Sequence, residues 1–512
     1  MVKILSNLKI RNRTRTTKRN ILFHYISIFL MIVSGIFLVP LYLKYIPIET
    51  YGAWLATGNV LIWITVIDPG ISMVLQQKIG FAYGENDINQ VKEYMFAGIF
   101  ITAVISVLIF VSGLILASFL NLFLKFPSSI DLPLIKKSFI IALAGSALMV
   151  FSYSLTSINQ GLQSSIGIGI IYVVTTISSI LLSIFLLNHN FGLYSLAIVP
   201  LFTGAGLTLG NIGYLIWRLK AEKIEFSFSL KEVRTLLQLV SYSFIGKIGS
   251  VIANNMDLII VARYLGPQTV ASLNLTKKGP ELSKTFIERP VIAFLPAISH
   301  LRGSGDLEKQ KLILIRLLLI IIWILGLVGA GFITFNDDFV RLWVGEKVFA
   351  GQLISFFICI NIIFSSVTNC LGNLCFALGS IKNNSLIAFS QSILTGIILV
   401  IGAKFYGLMG VVIAPLISIA LMSLWIYPLI FFRILKLEKE KKKCLGIEVV
   451  IVFFISFFLS YVFQFLYSNN WVAFIFQTLC FSVVFFSVLY LLSQPFRYEI
   501  KNLIKFLLTK FN

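Results

Sequence analysis

The sequence predicts an all-α, polytopic membrane protein of about fourteen transmembrane helices. Three observations carry that expectation. Hydrophobic residues make up 58% of the chain and charged ones only 12%, with a mean hydropathy of +0.94 over 512 residues, an apolar excess no soluble core needs. Apolar stretches long enough to cross a bilayer recur from end to end with short connections between them. Lys and Arg gather in alternate connections, as they do when one side of a membrane holds them.

A basic tail, 1–19, leads into six candidate spans at 20–43, 51–78, 94–120, 134–158, 165–187 and 193–217, which form a first six-helix bundle over 20–217. A more polar linker, 218–235, follows. A second six-helix bundle over 236–436 holds spans at 236–262, 268–299, 312–333, 351–378, 384–403 and 408–432. After a basic loop at 437–446 come two extra spans within 447–492 and a basic amphipathic tail at 493–512. No cleavable leader is expected, because the basic start runs into an apolar segment long enough to span.

The excess of Lys and Arg in alternate connections, with basic clusters at Lys3–Arg19 and Arg433–Lys443, orients the chain with both termini cytoplasmic. The net charge of +21 is therefore a topology signal and not a nucleic-acid footprint. Cys359, Cys370, Cys375, Cys444 and Cys480 form no CxxC pair and no Cys/His cluster, so no metal site or cofactor is expected.

The two bundles read as copies. Residues 44–57, KYIPIETYGAWLAT, align without a gap on 263–276, RYLGPQTVASLNLT, and residues 191–201, FGLYSLAIVPL, on 406–416, YGLMGVVIAPL. The second match pairs Gly192 with Gly407 and Pro200 with Pro415. An even number of spans per copy gives a parallel repeat, with the substrate site expected between the halves.

The eighth span carries more charge than any other. Lys277, Glu281, Lys284 and Glu288 fall within roughly 60° of one helix face, and each Lys can reach the Glu four residues on. Lys278 and Arg289 flank this stripe and leave it positive. A charge at the bilayer centre costs about 2.5 to 3.5 kcal/mol on insertion scales, so the stripe is expected to wall a polar lumen. Reading 268–299 as a surface helix would invert everything downstream and expose the basic 433–443 loop outside. In the seventh span, Ser243, Lys247, Ser250, Asn254 and Asp257 share one face and form a second polar wall. Asp68 lies beside Pro69-Gly70 in the second span, and Glu288 beside Arg289-Pro290 in the eighth. An acid at a bend can bind a proton or Na⁺, and for Asp68 a helix-capping role is an equal reading. Asn361, Ser365, Thr368, Asn369 and Asn373 in the tenth span are read as interhelical hydrogen-bonding groups.

A lumen ringed by Lys247, Lys277, Lys278, Lys284 and Arg289 favours an anion, and pyrophosphate suits such a set. The chain has no GxxxxGK[ST], so ATP-driven pumping is excluded and an ion gradient, the membrane potential or downstream consumption must drive transport. Its outer loops, 121–133 and 334–350, are small for a membrane enzyme. Asp337, Asp338, Arg341 and Trp343 are read as an exposed loop of mixed charge in preference to a sugar site.

YIPIETYGAWLAT with the following IDPGISMVLQQKIG, and the counterpart NNMDLIIVARYLGPQTVASLNLT, resemble the polysaccharide exporters of the multidrug/oligosaccharidyl-lipid/polysaccharide (MOP) superfamily, the Wzx-type repeat-unit flippases above all. The resemblance covers most of 20–436, with Asp68-Pro69-Gly70 where the family has Asp-Leu-Gly. It implies a V-shaped, MATE-like pair of bundles that carries an undecaprenyl-pyrophosphate-linked oligosaccharide, an O-antigen or capsule unit, across the bacterial inner membrane by alternating access, with no enzymatic step. On that model Lys247, Lys278 and Arg289, with Asn254 beside them, contact the substrate. Lys277 and Lys284 are poised by Glu281 and Glu288, and Asp257 or Asp68 couples to H⁺ or Na⁺. The extra spans would guide the polyprenyl tail, and polymerase and chain-length proteins would be partners. The alternatives are a MATE-type multidrug exporter, a peptidoglycan-precursor flippase and, from another class, a membrane glycan-processing enzyme.

Overall fold

The computed structural model describes residues 32–65, 70–162, 164–222, 232–238, 255–303, 307–378 and 380–511, with a few single positions before 32. Every regular element among them is helical. The chain forms two compact units, 1–271 and 272–512. The division falls inside one helix. The physical reason is that α8 (Asp257–Leu265) packs within the first unit against α2 (Ile48–Ile64) and α4 (Ile88–Leu124), and the first turn of α9 (Pro267–Gly303) lies against Gly52 of α2.

In the first unit α1 (Ile32–Tyr45) and α2 are followed by α3 (Ile71–Glu85), α4, α5 (Leu132–Gly161), α6 (Ser165–Asn188) and α7 (Leu193–Glu222). Their starts are set by short polar residues. Asp87 Oδ1 accepts the Gln90 N–H at 3.0 Å to cap α4, and Asp131 Oδ1 accepts the Leu134 N–H at 3.0 Å to cap α5. α5 is the centre, packed on α3, α4 and α7. Gly145 on α5 and Gly204 on α7 let the two backbones touch, since a Cβ at either would run into the partner helix. Gly52 on α2 does the same for the start of α9, where its Cβ would meet Pro267 O and Ala271 N.

The second unit is built around α10 (Leu307–Val344). Leu314, Leu317, Ile321 and Leu325 face a core shared with α11 (Gln352–Ala377) and α13 (Ser423–Leu435), while Leu319, Trp323 and Ala330 face α14 (Lys439–Phe463), α15 (Trp471–Leu492) and α16 (Gln494–Phe511). A helix apolar on both sides is one that both neighbours bury. α12 (Ile381–Leu421) is two helices joined at Gly407, whose φ of 59° and ψ of −142° break the run. Gly402 and Gly410 then face each other so closely that a Cβ on one would strike the backbone of the other.

The internal repeat is visible in the geometry of each unit taken by itself. Gly192 (φ 52°) and Gly407 (φ 59°) are both left-handed junctions, and Pro200 and Pro415 both sit inside the helix that follows. Ser179 and Thr203 share a 2.7 Å hydroxyl bond, matched by Thr395 and Ser418 at 2.6 Å. Asn159 Nδ2 donates to Asn211 O at 3.3 Å, and Cys375 Sγ to Tyr427 O at 3.9 Å, both across 52 residues.

Among the described residues nine helices are long and apolar enough to cross a membrane, so this is a multi-pass membrane protein. One of them, 386–435, contains the Gly407 junction and holds two expected spans. The second expected span, 51–78, is divided: α2 ends at Ile64, and Gly70 (φ 88°) precedes α3. Conversely, the chain is helical throughout 267–303, through Pro280 and Pro290, so Glu288 lies inside one helix and not at a break between two. The outer segment 334–350 is also not an exposed loop. α10 continues to Val344, and Asp338 is buried, because its carboxylate holds the turn between α14 and α15 in place.

Candidate functional site

α9 meets the rest of the second unit along one side. Buried Thr276 fixes its third turn: Asn336 Nδ2 donates to Thr276 O at 3.0 Å, and the Ala350 N–H donates to Thr276 Oγ1 at 2.9 Å. Gly279 lies against the Phe332 and Phe339 rings, and Pro280, Ser283 and Ile287 continue that side beside Gly329 and Ile363. These positions exploit the apolar spacing of a helix seated on one neighbour.

Rotated from this seam is the charged stripe. Lys277 Nζ lies 3.2 Å from Glu281 Oε1, and Lys284 Nζ lies 3.9 Å from Glu288 Oε1. Both follow from i,i+4 spacing on a continuous helix. Side-chain exposures of 14% and 45% in the first pair, and 26% and 19% in the second, leave all four reachable. Lys278 is half-buried on an adjoining face. Arg289 is helical in its backbone, and its side chain lies outside the described residues, as do Asp68, Lys247 and Asn254 altogether.

Asp257 belongs to the first unit and opens α8. Its carboxylate Oδ1 accepts the Leu258 N–H at 2.8 Å, the place an acid takes against exposed N–H groups at a helix start. The seventh span was expected to be continuous here, and instead the helix is interrupted at Met256. Asn59 Nδ2 on α2 donates to the Asn255 carbonyl at 3.1 Å, satisfying one backbone group at the interruption.

Asn369 joins the stripe although the sequence reading left it out. It is exposed on α11, and its Nδ2 donates to Glu288 Oε1 at 3.0 Å, so one carboxylate oxygen receives an amide from α11 and faces an ammonium from α9. Its place on the amide-bearing face of the tenth span was the available signal. Glu448 went unremarked altogether. It is buried on α14, accepting from Trp323 Nε1 at 3.0 Å and from Ser493 Oγ at 2.8 Å, and a lone acid in an apolar span was the sign.

A family model described as polysaccharide biosynthesis protein matches residues 55–349, more than half of the chain and all of α9. The chain belongs to this family. Among solved structures, a lipid II flippase, MurJ, in an inward closed conformation is similar over 92% of this chain and 98% of that one, with a TM-score of 0.66 at 17% identity. An inward-facing multidrug resistance MATE family transporter of the MOP superfamily matches over 80% and 96%, with a TM-score of 0.67 at 14% identity. The Vibrio cholerae MATE transporter VcmN matches over 84% and 99%, with a TM-score of 0.58 at 17% identity. No curated protein sequence matches the chain. This polysaccharide biosynthesis protein therefore has the fold of MOP-superfamily transporters.

Proposed function

We propose that the protein is a Wzx-type flippase that carries an undecaprenyl-pyrophosphate-linked oligosaccharide from the inner to the outer leaflet by alternating access, and that it is not an enzyme. The α9 stripe is the observation that carries the reading. It presents Lys277 and Lys284, each held by a carboxylate one turn on, along a helix that lies inside the family match. Such a Lys costs less to keep in a membrane protein than an unpaired one and can exchange its carboxylate for a phosphate. Lys278 and Arg289, with Lys247 and Asn254, complete the proposed pyrophosphate contacts. Asp257 or Asp68 would bind the coupling H⁺ or Na⁺. The chain would sit in the bacterial inner membrane with both termini cytoplasmic, beside the polymerase and chain-length proteins that use the product.

The likeness to MurJ favours a second reading, in which the lipid-linked cargo is a peptidoglycan precursor. Both readings share the pyrophosphate, and the sugar separates them.

The test is a leaflet-accessibility assay in proteoliposomes with a lipid-pyrophosphate-oligosaccharide, under a pH or Na⁺ gradient, with Lys278→Ala and Arg289→Ala as variants. Protein-dependent movement that falls at least tenfold in both supports the flippase. Extrusion of a cationic dye with no lipid movement would identify a MATE-type exporter instead, and turnover of a lipid-linked donor by the protein alone would make it an enzyme.

A further inference from the structure

The second unit gathers three basic stretches that are distant in sequence: the start of α10 (307–316), the turn from α13 into α14 (436–443) and the first two turns of α16 (494–501). Buried leucines join the first two, with Leu314 and Leu317 in one core with Leu435 and Leu437. The first and third meet through Phe496, whose ring stands edge-on to Trp323 at 5.0 Å, and through the Arg316 Nε to Glu499 Oε1 ion pair at 2.6 Å. Glu448 locks the corner. Its carboxylate takes Trp323 Nε1 from α10 and Ser493 Oγ from the residue before α16, while Ser493 Oγ also accepts the Phe496 N–H at 3.0 Å.

The three stretches together hold ten Lys and Arg against four Glu. Lys436, Lys439, Lys442, Lys443 and Lys501 are exposed. A 38-residue helix such as α10 is about 57 Å long at 1.5 Å per residue, well beyond the roughly 30 Å hydrocarbon core, so its first turns can reach the headgroups. Ile447, Leu492 and Ile504 are exposed apolar side chains on the flanking helices. Basic side chains bordered by apolar ones are the two-part surface that a headgroup and its acyl chains recognise.

We propose that this corner is a binding site for the phosphate headgroups of anionic phospholipids. A basic loop that only orients a chain needs no fixed geometry, whereas here a buried carboxylate on α14, the helix that follows the 436–443 turn, holds α10 and the start of α16. The site is independent of the transport reading, since its ligand is bulk lipid and not cargo.

The experiment measures phospholipid retained by the full-length chain in native mass spectrometry, after titration with phosphatidylglycerol or phosphatidylcholine. The intact protein is expected to retain phosphatidylglycerol preferentially. A triple Lys441→Gln, Lys442→Gln, Lys443→Gln variant should lose roughly a hundredfold of that affinity, at about one kcal/mol per basic residue. Arg497→Gln with Lys501→Gln, roughly thirtyfold weaker, serves should the triple variant not fold. Lys136→Gln with Lys137→Gln, at the start of α5, should change nothing. Equal retention of the two lipids by the intact protein, unchanged retention in the corner variants, or an equal loss in the α5 variant would overturn the proposal.

Discussion

The second unit uses short-range ion pairs in two ways. At the end of α10, Arg341 Nη2 donates to Asp338 Oδ1 at 2.5 Å and to Ser468 O at 3.1 Å, its guanidinium stacks 3.5 Å over the Tyr467 ring, and Asp338 Oδ2 accepts the Ser468 N–H at 2.9 Å. Side-chain exposures are 12% and 9%. On α9 the pairs are longer, at 3.2 and 3.9 Å, and more open. The first set answers both of its charges with several short bonds and fastens the α14–α15 turn to α10. The second holds each lysine near a carboxylate one turn on, on a face that stays reachable. A fully bonded buried pair is scaffold, and a loose one at a reachable face can trade partners.

The largest effect should come from breaking the tight set. Asp338→Ala leaves Arg341 without its carboxylate and should cost about 3 to 5 kcal/mol, read as lost thermal stability in detergent. An Asp338→Ala protein as stable as the parent would erase the contrast. Lys284→Ala should do the reverse. Its stability should move by less than about 0.5 kcal/mol, while flipping of the lipid-pyrophosphate substrate falls at least tenfold, as expected when one charge-assisted contact of about 1.5 to 3 kcal/mol is lost. If Lys284→Ala unfolds the protein instead, the ladder is structural.

Asn369→Leu sharpens the comparison from the partner helix. Removing the amide that donates to Glu288 should cost about 1 kcal/mol, measured in the same thermal assay, and a double-mutant cycle with Glu288→Gln should show coupling between the two sites. Smallest of all, Glu281→Gln should alter stability by only about 0.3 to 0.5 kcal/mol, because Glu281 is the most exposed member of the two α9 pairs, and added salt should shrink that difference.

The charged stripe was legible because i,i+4 spacing is local: once 267–303 is helical, Lys277 must lie near Glu281 and Lys284 near Glu288. The repeat was legible for a similar reason. Gly192 and Gly407 mark positions where a left-handed residue is needed, and glycine adopts that conformation without the penalty a side chain carries. Asp338, Arg341 and Glu448 were not legible in their roles. Each is paired with groups more than a hundred residues away in the chain, and a mixed-charge segment at a span end looks the same whether solvated or clasped.

The sequence by itself determined the membrane class, the helical character, the family and the charged face of α9, since composition and short-range periodicity act within a few turns of the chain. Tertiary structure alone decided where helices break or run on, as at Met256 against Pro290, and which charges become scaffold. It also brought three basic stretches to one corner around Glu448. Those outcomes depend on which surfaces meet, and no local pattern records the partner.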